Sequence, residues 1–170
     1  MDKRFLVFYA LAAAVLLWLI FPNNLWGLFS AVLLAAGCGA LEEVHPLFRP
    51  ASFAGAGMAL LLLLGRTGIF SATLGTILLQ LGSMIAFCLL ALALAALERA
   101  GGSIPLVSWA AIVIMAIGGI YTVLFALEFP GAVAVIGSPM PMIVLAERLG
   151  KIMLLLAVFR AQRALIQKGE

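Results

Sequence analysis

Three charged residues, Glu147, Arg148 and Lys151, interrupt an otherwise apolar stretch, MPMIVLAERLGKIMLLLAVFR (residues 140–160). Glu147 and Lys151 are four residues apart with the acid first, which is the favourable order for an ion pair along one helix face. Arg148 lies about 100° around the same helix, so it finds no partner within this stretch. Charged groups inside a membrane segment are costly and commonly mark a solute or ion path. The three residues are therefore the first candidate site.

Two arrangements and two roles are open for this stretch. A continuous helix from Pro139 to beyond Arg160 buries the charges in the bilayer. A break between Gly137 and Pro141 would instead leave a helix on the membrane surface. Buried charges would either line a functional site or form an interhelical clamp that fixes packing.

Two polar residues elsewhere are candidate partners for Arg148. Gln80 lies near the middle of the fourth apolar run, where it also suits an interhelical hydrogen bond. Glu128 ends the fifth apolar run. A group on another subunit is the third candidate.

Patterns that would carry enzyme or metal chemistry are absent from the sequence. Asp2 is the only aspartate, and the chain has no phosphate-binding glycine loop, nucleophile elbow or Cys/His metal pattern. The only histidine, His45, follows Glu42 and Glu43 in what we interpret as a solvated turn. Glu147 alone would serve as a base. We therefore expect no cofactor, no metal and no enzyme activity.

The composition indicates a membrane protein. Of 170 residues, 66% are hydrophobic and 10% are charged, whereas soluble domains have about 45–50% apolar and about 25% charged residues. The net charge of +3 comes from basic residues between apolar runs, which suits lipid headgroups rather than nucleic acid. We predict an all-α, polytopic transmembrane helix bundle that forms one domain over residues 1–170.

Six apolar runs separated by helix-breaking segments predict about six spans. A span needs roughly 20 residues to cross about 30 Å of hydrocarbon. The predicted spans are residues 5–21, 25–41, 47–64, 70–97, 104–127 and 139–159. Glu98 and Arg99 are interpreted as a polar boundary that follows the fourth span.

The basic residues predict the orientation of this bundle. Six spans place seven basic residues on one side and only Arg66 on the other, so both termini are expected in the cytoplasm. Trp18 and Trp26 would then lie at the outer interface. The seven residues are Lys3, Arg4, Arg49, Arg99, Arg160, Arg163 and Lys168.

A stripe of small residues in the third span predicts a close helix contact. Ala51, Gly55 and Ala59 recur at a spacing of four, and small residues on one face let two helix backbones approach closely. We expect this stripe to pack within the chain rather than between two copies. Gly118 and Gly119 in the fifth span serve either the same purpose or local flexibility.

Three functions remain open. The leading hypothesis is a non-catalytic integral membrane subunit of a larger complex, in a plasma or bacterial inner membrane, because the bundle has short loops and Arg148 invites a partner. The alternative is a small-solute transporter or channel, with Glu147, Arg148 and Lys151 along its path. The third is a lipid-acting membrane enzyme. Expected partners are the bilayer and other membrane subunits or further copies of this chain.

Overall fold

The computed structural model describes residues 3–22, 25–128 and 141–169, which form six α-helices and no β-strand. The all-α prediction is therefore confirmed, and each helix covers one of the six predicted apolar runs. The predicted start of the last span, at Pro139, lies outside the described residues. The helices are α1 (Lys3–Ile20), α2 (Leu25–Ala40), α3 (Phe48–Arg66), α4 (Ala72–Ala100), α5 (Leu106–Glu128) and α6 (Pro141–Gly169).

Local sequence sets the ends of the central helices. Gly68 and Gly102 adopt positive φ angles of 75° and 78° in the turns that follow α3 and α4, and glycine adopts this conformation without a steric penalty. Ser71 caps α4, because its hydroxyl accepts a hydrogen bond from the Leu74 backbone N–H at 3.3 Å. These short turns reverse the chain, so consecutive helices pack side by side.

Helix α6 has the most neighbours from distant parts of the chain. It packs against α1, α4 and α5, whereas the other contacts mainly join consecutive helices. The bundle has two ends. We call the end with Ile20, Arg66 and the start of α4 the Arg66 end, and the end with Arg49, Arg99 and Arg160 the Arg49 end.

The core is concentrated toward the Arg49 end. Large side chains without solvent exposure come from the first half of α1, the start of α3, the second half of α4 and the middle of α6; they include Phe8, Leu11, Phe48, Leu90, Leu94 and Leu154. In α1, residues Phe8, Leu11, Val15 and Trp18 follow the three-and-four spacing of one buried face. Trp18 therefore packs inside the bundle near the Arg66 end, and its depth at the outer interface stays a prediction. Its indole is buried, and the Trp18 and Phe87 ring centroids are 6.0 Å apart.

Large apolar side chains cover the outside of every helix. Soluble proteins rarely expose apolar patches beyond a few hundred Å², so this surface associates with a membrane. Helices α3, α4 and α5 are each long and apolar enough to span one, while α1 and α2 are shorter apolar helices. Exposed examples along the chain are Leu6, Phe29, Phe53, Leu60, Ile85, Val113, Ile117, Leu124 and Leu156.

The small-residue stripe of α3 packs against α2. A Cβ atom added at Gly55 would lie 2.9 Å from the backbone nitrogen of Ala35, so the two backbones touch at this point. Ala51 is fully buried and Ala59 is half-buried beside the core. The Ser52 hydroxyl donates a 2.8 Å hydrogen bond to the Ala35 carbonyl. This stripe therefore lies at a contact within the chain.

Gly55→Leu is expected to destabilise the protein by about 1–3 kcal/mol, because the new side chain forces α2 and α3 apart. Gly57→Leu is the matched control, since nothing lies within 4 Å of a Cβ added at Gly57 on the same helix. The measurement is the midpoint of thermal unfolding in detergent. Equal midpoints for the two variants would show that α2 and α3 do not meet at Gly55.

Glycines also bring α5 and α6 together. A Cβ atom at Gly118 would lie 3.5 Å from the Glu147 backbone nitrogen, and one at Gly150 would lie 3.2 Å from the Met115 backbone nitrogen. Gly119 faces Met84 of α4 instead. The Gly118–Gly119 pair thus lies in close packing contacts on two sides of α5. These contacts fix the part of α6 that carries Glu147 and Lys151.

Candidate functional site

A cavity of about 440 Å³ opens at the Arg66 end of the bundle. Its walls come from α1, α3, α4 and α6, with Thr122 contributed by α5. Ligand pockets in proteins usually measure about 300–1,000 Å³, so this space suits a small molecule. We call it the Arg66-end cavity.

The predicted ion pair lies in the wall of this cavity. Lys151 Nζ donates a hydrogen bond of 2.6 Å to Glu147 Oε1. The exposed fractions of the two side chains are 9% and 17%, and Lys151 lies about 15 Å along α6 from Pro141. Helix α6 runs unbroken through both residues. The suggested break between residues 137 and 141 falls outside the described residues up to Pro141, so the continuous-helix arrangement stays a prediction.

Two more predicted residues line the same cavity. Arg148 is exposed at the cavity, and Gln80 of α4 is half-buried in its wall. Gln80 also lines a much smaller space of about 10 Å³ beside Glu147 and Lys151. The structure therefore brings four of the five predicted polar residues together around one opening.

Glu128 is the predicted residue that does not join this group. It lies exposed in the last turn of α5 and does not line the Arg66-end cavity. Among the described residues, no carboxylate lies within 4 Å of the Arg148 guanidinium. The described residues therefore do not pair Glu128 with Arg148, and Gln80 is the candidate partner that shares the cavity with Arg148.

Arg66, which the sequence indicates only as a topology signal, is also a cavity residue. It lies in the last turn of α3, exposed, and lines the cavity together with Arg148. The charged lining residues are Arg66, Arg148, Lys151 and Glu147. Because Glu147 is the single acid among the described lining residues, the lining has an excess of positive charge. Apolar lining residues include Trp18, Leu61, Leu62, Phe70 and Leu79.

A second polar cluster lies at the Arg49 end, around Glu98. The Glu98 side chain is 0% exposed, and its Oε1 atom is 3.6 Å from Arg160 Nε of α6. Ser108 of α5 neighbours the carboxylate. Neither Glu98 oxygen nor the Ser108 hydroxyl has a hydrogen-bond partner among the described residues. Arg160 is 45% exposed and also donates to the Ile104 carbonyl at 3.4 Å.

The interpretation of Glu98 as a solvated boundary is therefore wrong. Glu98 continues the buried face of α4 that includes Ala91 and Leu94, at spacings of three and four residues. That spacing is the sequence signal for burial of Glu98. The charge of Glu98 instead favoured a solvent-exposed position. Arg99 behaves as predicted for a boundary residue, since its guanidinium is exposed and lies 5.5 Å from the Trp109 ring centroid.

The turn between α2 and α3 is polar and partly solvated. Arg49 and Glu42 form an exposed ion pair of 3.4 Å, and His45 Nδ1 accepts a hydrogen bond from the Leu47 backbone N–H at 3.2 Å. In the described ranges, no three His, Cys, Asp or Glu side chains group closely enough to hold a metal ion. His45 thus has a local structural role as a turn cap.

No family model, no curated protein and no solved structure matches this chain.

Proposed function

We propose that this chain is a six-span membrane protein that binds a small solute in the Arg66-end cavity, as a transporter or related solute-handling protein of a plasma or bacterial inner membrane. Both termini lie in the cytoplasm, and the cavity opens to the opposite side. The observation that carries the proposal is a ligand-sized cavity with a nearly buried Glu147–Lys151 pair in its wall.

An interhelical clamp does not require such a cavity. Protein interiors are close-packed, and voids much larger than a water molecule are few. A clamp would be strongest if neighbouring side chains filled the space around the ion pair. Here α1, α3, α4 and α6 leave about 440 Å³ beside it. A binding site explains both the charges and the space.

Among the described residues, apolar side chains fill much of the opposite half of the bundle. Phe8, Phe48, Leu90 and Leu154 are fully buried toward the Arg49 end, and none of these four side chains lines the cavity. An open channel would need a polar path through this region. The arrangement therefore supports a transporter that faces one side of the membrane, rather than a channel that is already open.

A membrane subunit is the second proposal. Arg148 is exposed with no described carboxylate within 4 Å, and a partner chain would supply one. The lipid-acting enzyme is the weakest proposal, because Glu147 already accepts a charge-assisted hydrogen bond from Lys151 at 2.6 Å. That contact occupies the carboxylate that would serve as the base.

Cysteine labelling tests the proposal. In a chain with Cys38 and Cys88 replaced, Thr76→Cys introduces a thiol into the cavity wall and Ser30→Cys introduces one at a fully buried site. We expect an impermeant maleimide to label Thr76→Cys in intact cells and to leave Ser30→Cys unlabelled. A mixture of small anions, cations and neutral solutes should slow the first reaction. Labelling of Thr76→Cys only after denaturation, or a stoichiometric protein that covers the site on purification, would contradict solute binding.

The orientation has its own test. A cysteine added after Glu170, with Cys38 and Cys88 replaced, should resist an impermeant thiol reagent in intact cells and react after lysis. The reason is the seven-to-one bias of basic residues toward the side that holds both termini. Reaction without lysis would exclude the six-span arrangement with cytoplasmic termini.

A further inference from the structure

We propose that the solute of the Arg66-end cavity is an anion with an adjoining apolar group, such as a carboxylate or phosphate attached to a hydrocarbon or aromatic part. The inference rests on the proposed solute-binding function and specifies its ligand class. It follows from the charges, the helix end and the apolar wall that meet at the cavity.

The charge balance of the lining favours an anion. Three basic side chains, Arg66, Arg148 and Lys151, share the cavity with a single acid, Glu147. Glu147 is already paired with Lys151 at 2.6 Å, which leaves the two arginines without a compensating carboxylate among the described residues. Guanidinium groups bind carboxylates and phosphates through paired, charge-assisted hydrogen bonds. A cation would have only the occupied Glu147 carboxylate as a counter-charge.

The start of α4 adds to this preference. Ser71, Ala72 and Gly75 line the cavity, and α4 is a helix of 29 residues. The N-terminal end of a helix carries a partial positive charge from backbone N–H groups without helical partners. The helix end and the two arginines therefore act in the same direction.

The rest of the wall is apolar. Trp18 of α1, Leu61 and Leu62 of α3, and Phe70 and Leu79 line the same space. A simple inorganic anion would leave these side chains without a complementary partner. An anion with a hydrocarbon or aromatic part would satisfy both kinds of lining. Water-soluble organic acids and anionic lipid headgroups share this chemistry.

Three small aromatic probes of similar size test the charge preference. Benzoate, benzamide and benzylammonium are titrated by calorimetry into the full-length protein in a neutral maltoside detergent. We expect benzoate to bind at least tenfold more tightly than either of the others. Native mass spectrometry with phosphatidylglycerol and phosphatidylcholine tests whether the protein binds anionic lipid headgroups. Preferential retention of phosphatidylglycerol over phosphatidylcholine would identify the headgroup as the source of the anion.

Charge variants give the test a direction. Arg148→Gln and Arg66→Gln should each lower the binding affinity for benzoate by about tenfold, as expected for the loss of one charge-assisted hydrogen bond. Arg163→Gln is the control, because Arg163 is exposed on α6 outside the cavity. Glu147→Gln, compared at equal amounts of folded protein, should strengthen anion binding several-fold. A cation site would show the opposite sign.

The outcomes separate the ligand class from solute binding itself. Equal or tighter binding of benzamide or benzylammonium overturns the anion preference and leaves solute binding in place. Probe binding that is unchanged in both arginine variants also overturns it. If neither benzoate nor phosphatidylglycerol binds while Thr76→Cys stays reactive in cells, the anion class is wrong. If Thr76→Cys does not react with the maleimide in intact cells, the proposed function fails as well.

Discussion

Glu147→Gln is expected to reduce the amount of folded protein more than Lys151→Met does. Both residues are more than four-fifths buried and joined by a 2.6 Å hydrogen bond. Removing the acid leaves the Lys151 ammonium almost buried, with Arg148 as its charged neighbour in the cavity. Stranding one member of a buried pair typically costs about 3–5 kcal/mol. This free-energy cost is an upper range, because water in the cavity solvates part of the remaining charge.

Lys151→Met has a smaller expected cost, about 1.5–3 kcal/mol, which is typical for the loss of a hydrogen bond to a charged group. Methionine fills much of the same space. Glu147 is the more exposed member of the pair, and Arg148 lines the same cavity with an opposite charge. The remaining carboxylate therefore keeps both water and a nearby cation.

The measurement is the yield of monodisperse protein after detergent extraction, together with its thermal midpoint. Arg163→Gln serves as the exposed control and should change stability by about 0–1 kcal/mol. If Glu147→Gln matches this control, the pair is fully hydrated and the continuous buried arrangement of α6 is wrong. If Lys151→Met is the more damaging change, the burial order of the two side chains is wrong.

Arg160→Gln is expected to destabilise the protein more than Glu98→Gln. Loss of Arg160 leaves Glu98, which has no exposed surface, without its only described ionic partner. The expected cost is about 3 kcal/mol or more, as for a buried uncompensated charge. Glu98→Gln keeps the shape of the side chain and leaves Arg160, which is 45% exposed, free to turn toward solvent. Its expected cost is about 1–3 kcal/mol, because the amide stays buried where neither Glu98 oxygen has a hydrogen-bond partner among the described residues.

Thermal midpoints of the two single variants and of the double variant check this asymmetry. The double variant should recover part of the loss in Arg160→Gln, because it removes the stranded carboxylate. Arg99→Gln, at a neighbouring exposed position, is the matched control. A larger loss in Glu98→Gln than in Arg160→Gln would contradict the burial difference on which the argument depends.

The helices of this protein were predictable because the bilayer imposes a strong pattern on sequence. Long apolar runs ended by glycine, proline and charged residues correspond to the six observed helices. The pair of Glu147 and Lys151 was also predictable, since a spacing of four places both on one helix face. The close helix contact at Gly55 was predictable for the same reason, because the small residues of its stripe recur with the period of a helix.

The cavity itself was not predictable, because it forms from residues far apart in the chain. Arg66, Ser71 and Trp18 line one cavity only after α1, α3 and α4 pack. No residue spacing within a single helix predicts that these three residues come together. Glu98 was missed for a different reason. A charged residue at the end of an apolar run normally faces water, and here the neighbouring helices cover it. Tertiary packing decided both cases.

The unequal lengths of the helices bear on the kind of membrane that suits this protein. Helices α1 and α2 contain 18 and 16 residues, which correspond to about 27 and 24 Å, whereas α4 and α6 contain 29 each. In the six-span arrangement, a hydrocarbon layer about 30 Å thick is thicker than α1 and α2 are long. The bilayer would therefore have to become thinner beside these two helices. The end of α1 also forms one wall of the cavity. Acyl-chain length would therefore control how close headgroups and water come to the solute, and a thin bilayer would favour access.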